Sequence, residues 1–244
     1  MDNRVEGATA YVLHARPYRN SSAIVQYFTC KYGLVNAVLR SVSGKNPKNA
    51  ALTQPYMPLR ISWQGKHELK TISSVEEKHK GINLKGDCLL SAFYLNELLC
   101  RLLQSHEPFA KIFDGYALSL QQLSESSPTE IEPILRGFEK LLLEELGYGI
   151  SYTEEALTGA LIIPSAHYHF VVEQGFIKID INSQVSTAQD YMYKGQTILA
   201  LNQRDYSNQL TRAAAKRVMR QSLGVHLGSK PLQSRNLFLK QREM

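Results

Sequence analysis

Cysteine is scarce in this chain, and long apolar runs are missing altogether. The three cysteines, Cys30, Cys88 and Cys100, are too few and too scattered for a disulfide framework. They read as reduced thiols, packed as small apolar groups in a cytosolic protein. No CxxC pair occurs, which excludes a structural zinc ribbon. No stretch approaches the roughly 18 apolar residues of a membrane-spanning helix. The start, Met1-Asp2-Asn3-Arg4-Val5-Glu6, lacks the apolar core of a secretory signal. No glycine-rich phosphate cradle fits either, because the stretch GVHLGSK has the wrong spacing and no strand before it. Internal repeats and low-complexity tracts are also absent.

What is present is a chain of 244 residues with 43% hydrophobic content. That excludes wholesale disorder and suits one large domain or two small ones. The cationic excess is small, +6, but unevenly placed. Residues 1–80 carry a net +7, residues 81–190 a net −9, and residues 191–244 a net +8. A basic head and a basic tail flank an acidic middle. Two segments therefore suit a polyanion, and one suits a protein partner.

The periodicity changes along the same divisions. Five short β-favouring runs lie at residues 8–15, 23–29, 34–42, 59–64 and 68–75, separated by turn residues. From about residue 84 the pattern becomes helical, at 89–104, 109–123 and 130–146. Residues 168–172 and 176–181 flank Glu173-Gln174-Gly175 as a hairpin. Helices are predicted again over 188–201 and 210–223, with an irregular tail following Gly224. The predicted class is α+β in two domains. A five-stranded OB-type barrel occupies residues 1–80, and a mostly helical domain occupies 81–244, with the hairpin near 168–181 and a basic C-terminal helix.

A search for catalytic chemistry yields little. His167 and His169 would face one way on a strand but have no third metal ligand nearby in the sequence. The adjacent pairs Glu144-Glu145 and Glu154-Glu155 diverge in regular structure and read as a solvated helix end and loop. No catalytic residue, metal site or cofactor is expected, and the chain is expected not to be an enzyme. A metal-dependent enzyme using His167 and His169 is the competing reading that metal analysis would test.

The requirements for holding a single nucleic-acid strand are cations along a groove and flat rings for stacking. The barrel region supplies Arg16, Arg19, Arg40, Lys45, Lys48, Lys66 and Lys70. Interleaved with them are Tyr11, Tyr18, Tyr27, Phe28, Tyr32, Tyr56 and Trp63. Tyr11 and Phe28 are expected in the core, and Tyr18 or Tyr32 on the surface for stacking. In the basic tail, Arg212, Lys216 and Arg220 are spaced by four, with Arg217 beside them, followed by Lys230 and Arg235. Such a barrel does not declare its sugar, so an RNA-binding OB protein remains the alternative. On the third helix of the acidic middle, Arg136, Lys140 and Leu143 are predicted to lie opposite the core stripe. Two cations beside an apolar residue suit an acidic peptide with an apolar end, or a terminal carboxylate.

The residues also resemble a known family. AYVLHARPYRNSSAIVQYFTCKYGLV, LTQPYMPL and GKHELKTI resemble the N-terminal barrel of the bacterial DNA repair family RecO. LLSAFYLNELLCRLL and FEKLLLEELGYG are similar to its helical domain, and AAAKRVMRQSLGVHLGSKPLQSRNLF to its C-terminal signature. The resemblance spans nearly the whole chain. It implies a cytoplasmic, nucleoid-associated recombination mediator without a catalytic centre. Such a protein binds single- and double-stranded DNA, anneals complementary strands, acts with RecR, and helps load RecA on DNA coated by single-stranded-DNA-binding protein (SSB). It further implies that Arg16, Lys45, Lys48, Lys66 and Lys70 face DNA and that Arg136 grips the acidic, Phe-ended tail of SSB. Some members carry a four-cysteine zinc module after the Leu-Gly-Tyr segment. Residues 151–166 here contain no cysteine, which is similar to the zinc-free branch.

Overall fold

The computed structural model describes residues 4–43, 49–179 and 192–242. Five strands open the chain: β1 (Arg4–Tyr18), β2 (Ser22–Thr29), β3 (Gly33–Leu39), β4 (Leu59–Gln64) and β5 (Lys70–Glu77). They close into a barrel in the order β1-β2-β3-β5-β4. All pairings are antiparallel except β3 with β5, which runs parallel through Ala37–Lys70 and Val38–Thr71. That is the strand order of an OB barrel. The interior is filled by alternate residues, among them Val12, Val25, Tyr27, Val35, Leu59, Ile61 and Trp63.

The long strand β1 serves both walls. Its first half pairs with β4 and its second half with β2. The register on β2 slips between Val12 and His14, so Leu13 is the extra residue of a β-bulge. The bulge reverses which residues face inward. Ala10 and Val12 point into the barrel before it, and Ala15 does so after it.

Two helices follow, α1 (Gly86–Leu102) and α2 (Ala110–Glu125). They cover one end of the β1–β2–β3 wall from outside. Tyr11, Phe28 and Leu34 form one cross-strand row there, and Phe113 and Tyr116 of α2 pack against it at ring distances of 5.2–6.3 Å. Tyr11 and Phe28 are therefore buried as expected, but against helices and not inside the barrel. Asn96 of α1 donates its Nδ2 to the carbonyl of the bulged Leu13 at 3.0 Å, and its Oδ1 accepts from the Tyr116 hydroxyl at 2.6 Å. The bulge frees a carbonyl from the ladder, and the helix supplies its partner. Gly33, with φ +62°, makes the same junction possible. A side chain there would place Cβ 2.0 Å from the Glu107 carbonyl oxygen.

The remaining elements are α3 (Ile131–Glu145), β6 (His167–Val171), β7 (Gly175–Ile179), β8 (Met192–Lys194), α4 (Gly195–Asn202), α5 (Gln209–Leu227) and α6 (Gln233–Arg242). The hairpin β6–β7 gains β8 as a third strand, in the order β7-β6-β8. A helix was expected over residues 188–201. Residues 188–191 lie outside the described residues, and 192–194 form β8, where Tyr193 pairs with Tyr168 and is buried. The helix starts only at Gly195. The predicted break at Gly224 is also corrected, because α5 continues to Leu227 before Gly228 ends it.

Compactness divides the chain differently from the change of period near residue 80. One unit comprises residues 1–128 with 231–244, and the other residues 129–230. Helix α6 returns to the first unit and docks on α1. Glu97, 136 residues before Gln233, accepts from the Gln233 N–H at 2.8 Å. It also accepts from the Ser234 N–H at 2.9 Å and the Ser234 hydroxyl at 2.6 Å. A carboxylate from another helix thus caps the orphan donors of the α6 N-terminus.

Candidate nucleic-acid interface

The sheet register collects the barrel's cations. Arg16 pairs with Ile24, Ile24 with Val38, and Val38 with Thr71. Side chains directly opposite one another share a face, so this row runs across β1, β2, β3 and β5 on the outer surface. Arg16 is exposed, and the other three are half-buried. The next row contains Tyr18 and Ser22, and Arg40 follows Leu39 at the same end of β3. On the other side, His14, Gln26 and Asn36 form a polar row. These rows lie beyond the one covered by α2. One wall of the barrel is therefore half roofed and half open.

Arg19 occupies the β1–β2 turn at φ +54° and places its guanidinium 5.1 Å from the Tyr18 ring centre. Tyr18 is half-buried, and Arg19 and Arg40 are exposed. The Arg40 carbonyl accepts from Asn49 Nδ2 at 2.8 Å, which ties down the end of β3. Lys66 is exposed in the β4–β5 connection. In OB barrels the open strand 2–3 face, the β1–β2 turn and the β4–β5 loop are where oligonucleotides lie. Lys45 and Lys48 lie outside the described residues.

Lys70 must be removed from the set of exposed cations. It shares a row with Ala37, Val25 and Ala15, which is an inward row. The residue is only 8% exposed, and its Nζ donates to the Gly65 carbonyl at 3.3 Å. Tyr32 is the more exposed of the two stacking candidates, but its ring stands edge-on to Trp63 at 5.2 Å. It lies by Gly33, at the far end of β2 and β3 from Arg16 and Arg40. Lys31, exposed beside it, was not singled out from the sequence.

The basic helix α5 also sorts its cations. Lys216 and Arg220 are exposed. Arg217 is exposed and lies 5.8 Å from the Tyr193 ring centre. Arg212 is half-buried, with Nη1 donating to the carbonyls of Tyr206 and Ser207, so it secures the loop before the helix. Lys230 is exposed in the second unit, and Arg235 is exposed at the start of α6 in the first.

Arg136, Lys140 and Leu143 do not form an outward patch. Leu143 is 1% exposed and packs in the core. Arg136 is 8% exposed and pairs at 2.8 Å with Glu139, which is fully buried. Lys140 lies 3.9 Å from Glu144 and 4.8 Å from the Tyr152 ring centre. Helix α3 buries a wider arc than its apolar stripe indicates because residues far along the chain cover its second face. Tyr152 and Tyr206 belong to this surround, and burial pushes both hydroxyls above their ordinary range, which keeps them protonated.

Glu155 is a further correction, because the residue expected to be solvated is buried and organises its own loop. Its carboxylate accepts from the Thr158 hydroxyl and N–H, and from the Lys178 N–H at 3.3 Å. Chiefly through the Thr158 hydroxyl, these bonds hold its pKa below the ordinary 4.5. His167 and His169 share one face of β6, half-buried. Among the described residues no three His, Cys, Asp or Glu side chains gather as a metal site. Cys100 is half-buried, and burial followed by the Glu97 carboxylate pushes its thiol up to about 12. No helix among the described residues is long and apolar enough to cross a membrane.

Two family models match the chain in succession. Recombination protein O N terminal matches residues 4–79, and Recombination protein O C terminal matches residues 85–236. Several similar proteins bear the name DNA repair protein RecO. The one from Pseudomonas aeruginosa is 42% identical over 233 residues, spanning 96% of this chain and 94% of its own length. The Pseudomonas putida protein is 41% identical over 234 residues, with 96% and 97% covered. That of Pseudomonas entomophila is 40% identical over 231 residues, with 95% and 96% covered.

Proposed function

The chain belongs to the RecO family, with the role in DNA repair and recombination that membership carries, and on that footing we propose that it is a non-catalytic DNA-binding mediator. It binds single- and double-stranded DNA, anneals complementary strands, and works with SSB and RecR to promote RecA loading. The observation that carries this reading is the open half of the barrel wall. There exposed Arg16 shares an outward row with half-buried Ile24, Val38 and Thr71, and Tyr18, Arg19 and Arg40 lie beside it. Lys216, Arg217 and Arg220 on α5 support a second contact with the phosphate backbone. Annealing requires two strands held with their charge neutralised, and two separate basic surfaces suit that task.

A salt titration tests the reading. If Arg16, Arg19, Arg40 and Lys66 each neutralise one phosphate, log K against log salt has a slope of about −2.8 for single strands. Affinity then falls about fifty-fold between about 50 and 200 mM salt. Binding that ignores salt, or a matched RNA strand that displaces DNA, would count against it.

In the same reading, the SSB tail docks on the second unit beside Arg136 and Lys140. The tail's carboxylates would compete with Glu139 and Glu144 for these cations. Arg136→Ala is a poor probe, since it strands the fully buried Glu139 at a cost of about 3–5 kcal/mol. Lys140→Ala is the better variant. It should weaken binding of a fluorescent SSB-tail peptide and leave annealing of naked strands unchanged. Unaltered peptide binding would exclude this site.

A further inference from the structure

We infer that a cleft in the second unit, lined in part by the stacked rings of Tyr148 and His226, receives one unpaired nucleobase of a bound strand. This deepens the DNA-binding reading and rests on it. The cleft has a volume of about 260 Å3. That is just below the ~300 Å3 at which drug-sized ligand pockets begin, so it suits a single ring system and not a whole nucleotide. Three chain segments form it: the turn after α3, the β6–β7 turn, and the last turn of α5.

The Tyr148 and His226 rings stack at 3.7 Å and 22°. Tyr148 keeps 48% of its surface exposed, a large aromatic area to leave in water. Its position is fixed by the way α3 ends. Gly147 turns the chain at φ +85°, Gly147 N–H donates to Glu144 and Tyr148 N–H to the Leu143 carbonyl at 2.8 Å. This is a Schellman ending, in which the second residue past the helix is tied back to it. The ring is therefore presented by a rigid backbone.

The rest of the lining complements a base. Phe170 and Ile150 supply apolar wall, while Glu173 and Gln174 supply hydrogen-bonding groups for a base edge. Helix α5 carries His226 and, on exposed positions, Lys216 and Arg220 for the backbone. Stacking needs no sequence readout, because every base has a π face. A duplex hides those faces, so the cleft should discriminate unpaired from paired strands.

The experiment measures full-length protein against an oligo(dT) strand, the same strand with abasic sites, and a duplex of equal length, at one salt concentration. Tyr148→Ala should weaken binding to the single strand about tenfold, the loss of one stacked base. Duplex binding should stay within about twofold, and Tyr148→Phe, which keeps the ring, should resemble wild type. On the abasic strand the Tyr148→Ala penalty should vanish. As a readout independent of the variants, 5-iododeoxyuridine strands should photo-crosslink to Tyr148 or His226 in the wild-type protein. Equal losses on single strand and duplex, no loss at all, or crosslinks confined to the first unit would overturn the inference. So would a Tyr148→Ala variant that loses only a Phe-ended acidic peptide, since the cleft would then dock protein. A wild type that binds single strands with the expected salt slope while Tyr148→Ala changes nothing refutes the cleft alone. A wild type that binds no strand refutes the broader reading as well.

Discussion

On one wall of the barrel, the β1 residues on the two sides of the bulge have opposite fates. Before the bulge at Leu13, Tyr11 joins Phe28 and Leu34 beneath the rings of α2. Beyond it, exposed Arg16 heads an outward row with half-buried Ile24 and Val38. The difference is set by where the helices stop, and the bulge marks the border. Its freed carbonyl is what α1 grips through Asn96. One half of the wall is committed to holding the first unit together, and the other is left for a ligand.

Substitutions on the two halves should therefore separate stability from binding. Phe28→Ala empties a fully buried site and should cost about 4 kcal/mol in a urea unfolding titration. Asn96→Ala removes the donor to the Leu13 carbonyl and the acceptor of the Tyr116 hydroxyl, and should cost about 2–3 kcal/mol by the same measurement. On the open half, Arg16→Ala should change stability by less than about 0.5 kcal/mol. It should flatten the single-strand salt slope by about 0.7, one phosphate's share. Lys70→Met should do neither, with a stability shift under about 1 kcal/mol and an unchanged slope, because its ammonium serves the Gly65 carbonyl. If Arg16→Ala destabilised as Phe28→Ala does, or Lys70→Met flattened the slope, the division of the wall would be wrong.

Much of this was legible in the sequence wherever the signal was local. Alternation and turn residues located all five strands, and residues 59–64 matched β4 end for end. Strand alternation also holds the clue to Lys70, two positions before the inward Ile72, but the charge of a lysine predicts surface regardless of its parity. The errors in α3 arose differently. Arg136 and Leu143 lie off the apolar stripe, yet both are buried, and for Arg136 the neighbours include Tyr206, seventy residues on. Strand β8 is three residues long and exists through its pairing with β6. Helix α6 is polar, and its N-terminal cap is on α1, so no nearby residue announces it. The Tyr148–His226 cleft joins a helix ending, a hairpin turn and a distant helix, and periodicity cannot bring those together.

The Glu97 cap on α6 also sets an order of events during synthesis. The first unit is interrupted by the second, and it is completed only when Gln233 and Ser234 reach Glu97. Ser234 follows Glu97 by 137 residues. At about 5–20 residues per second, the ribosome takes about 7–27 seconds to make that stretch. For that interval the nascent barrel and α1 exist without α6, and the whole of the second unit is made before the carboxylate meets the serine it holds.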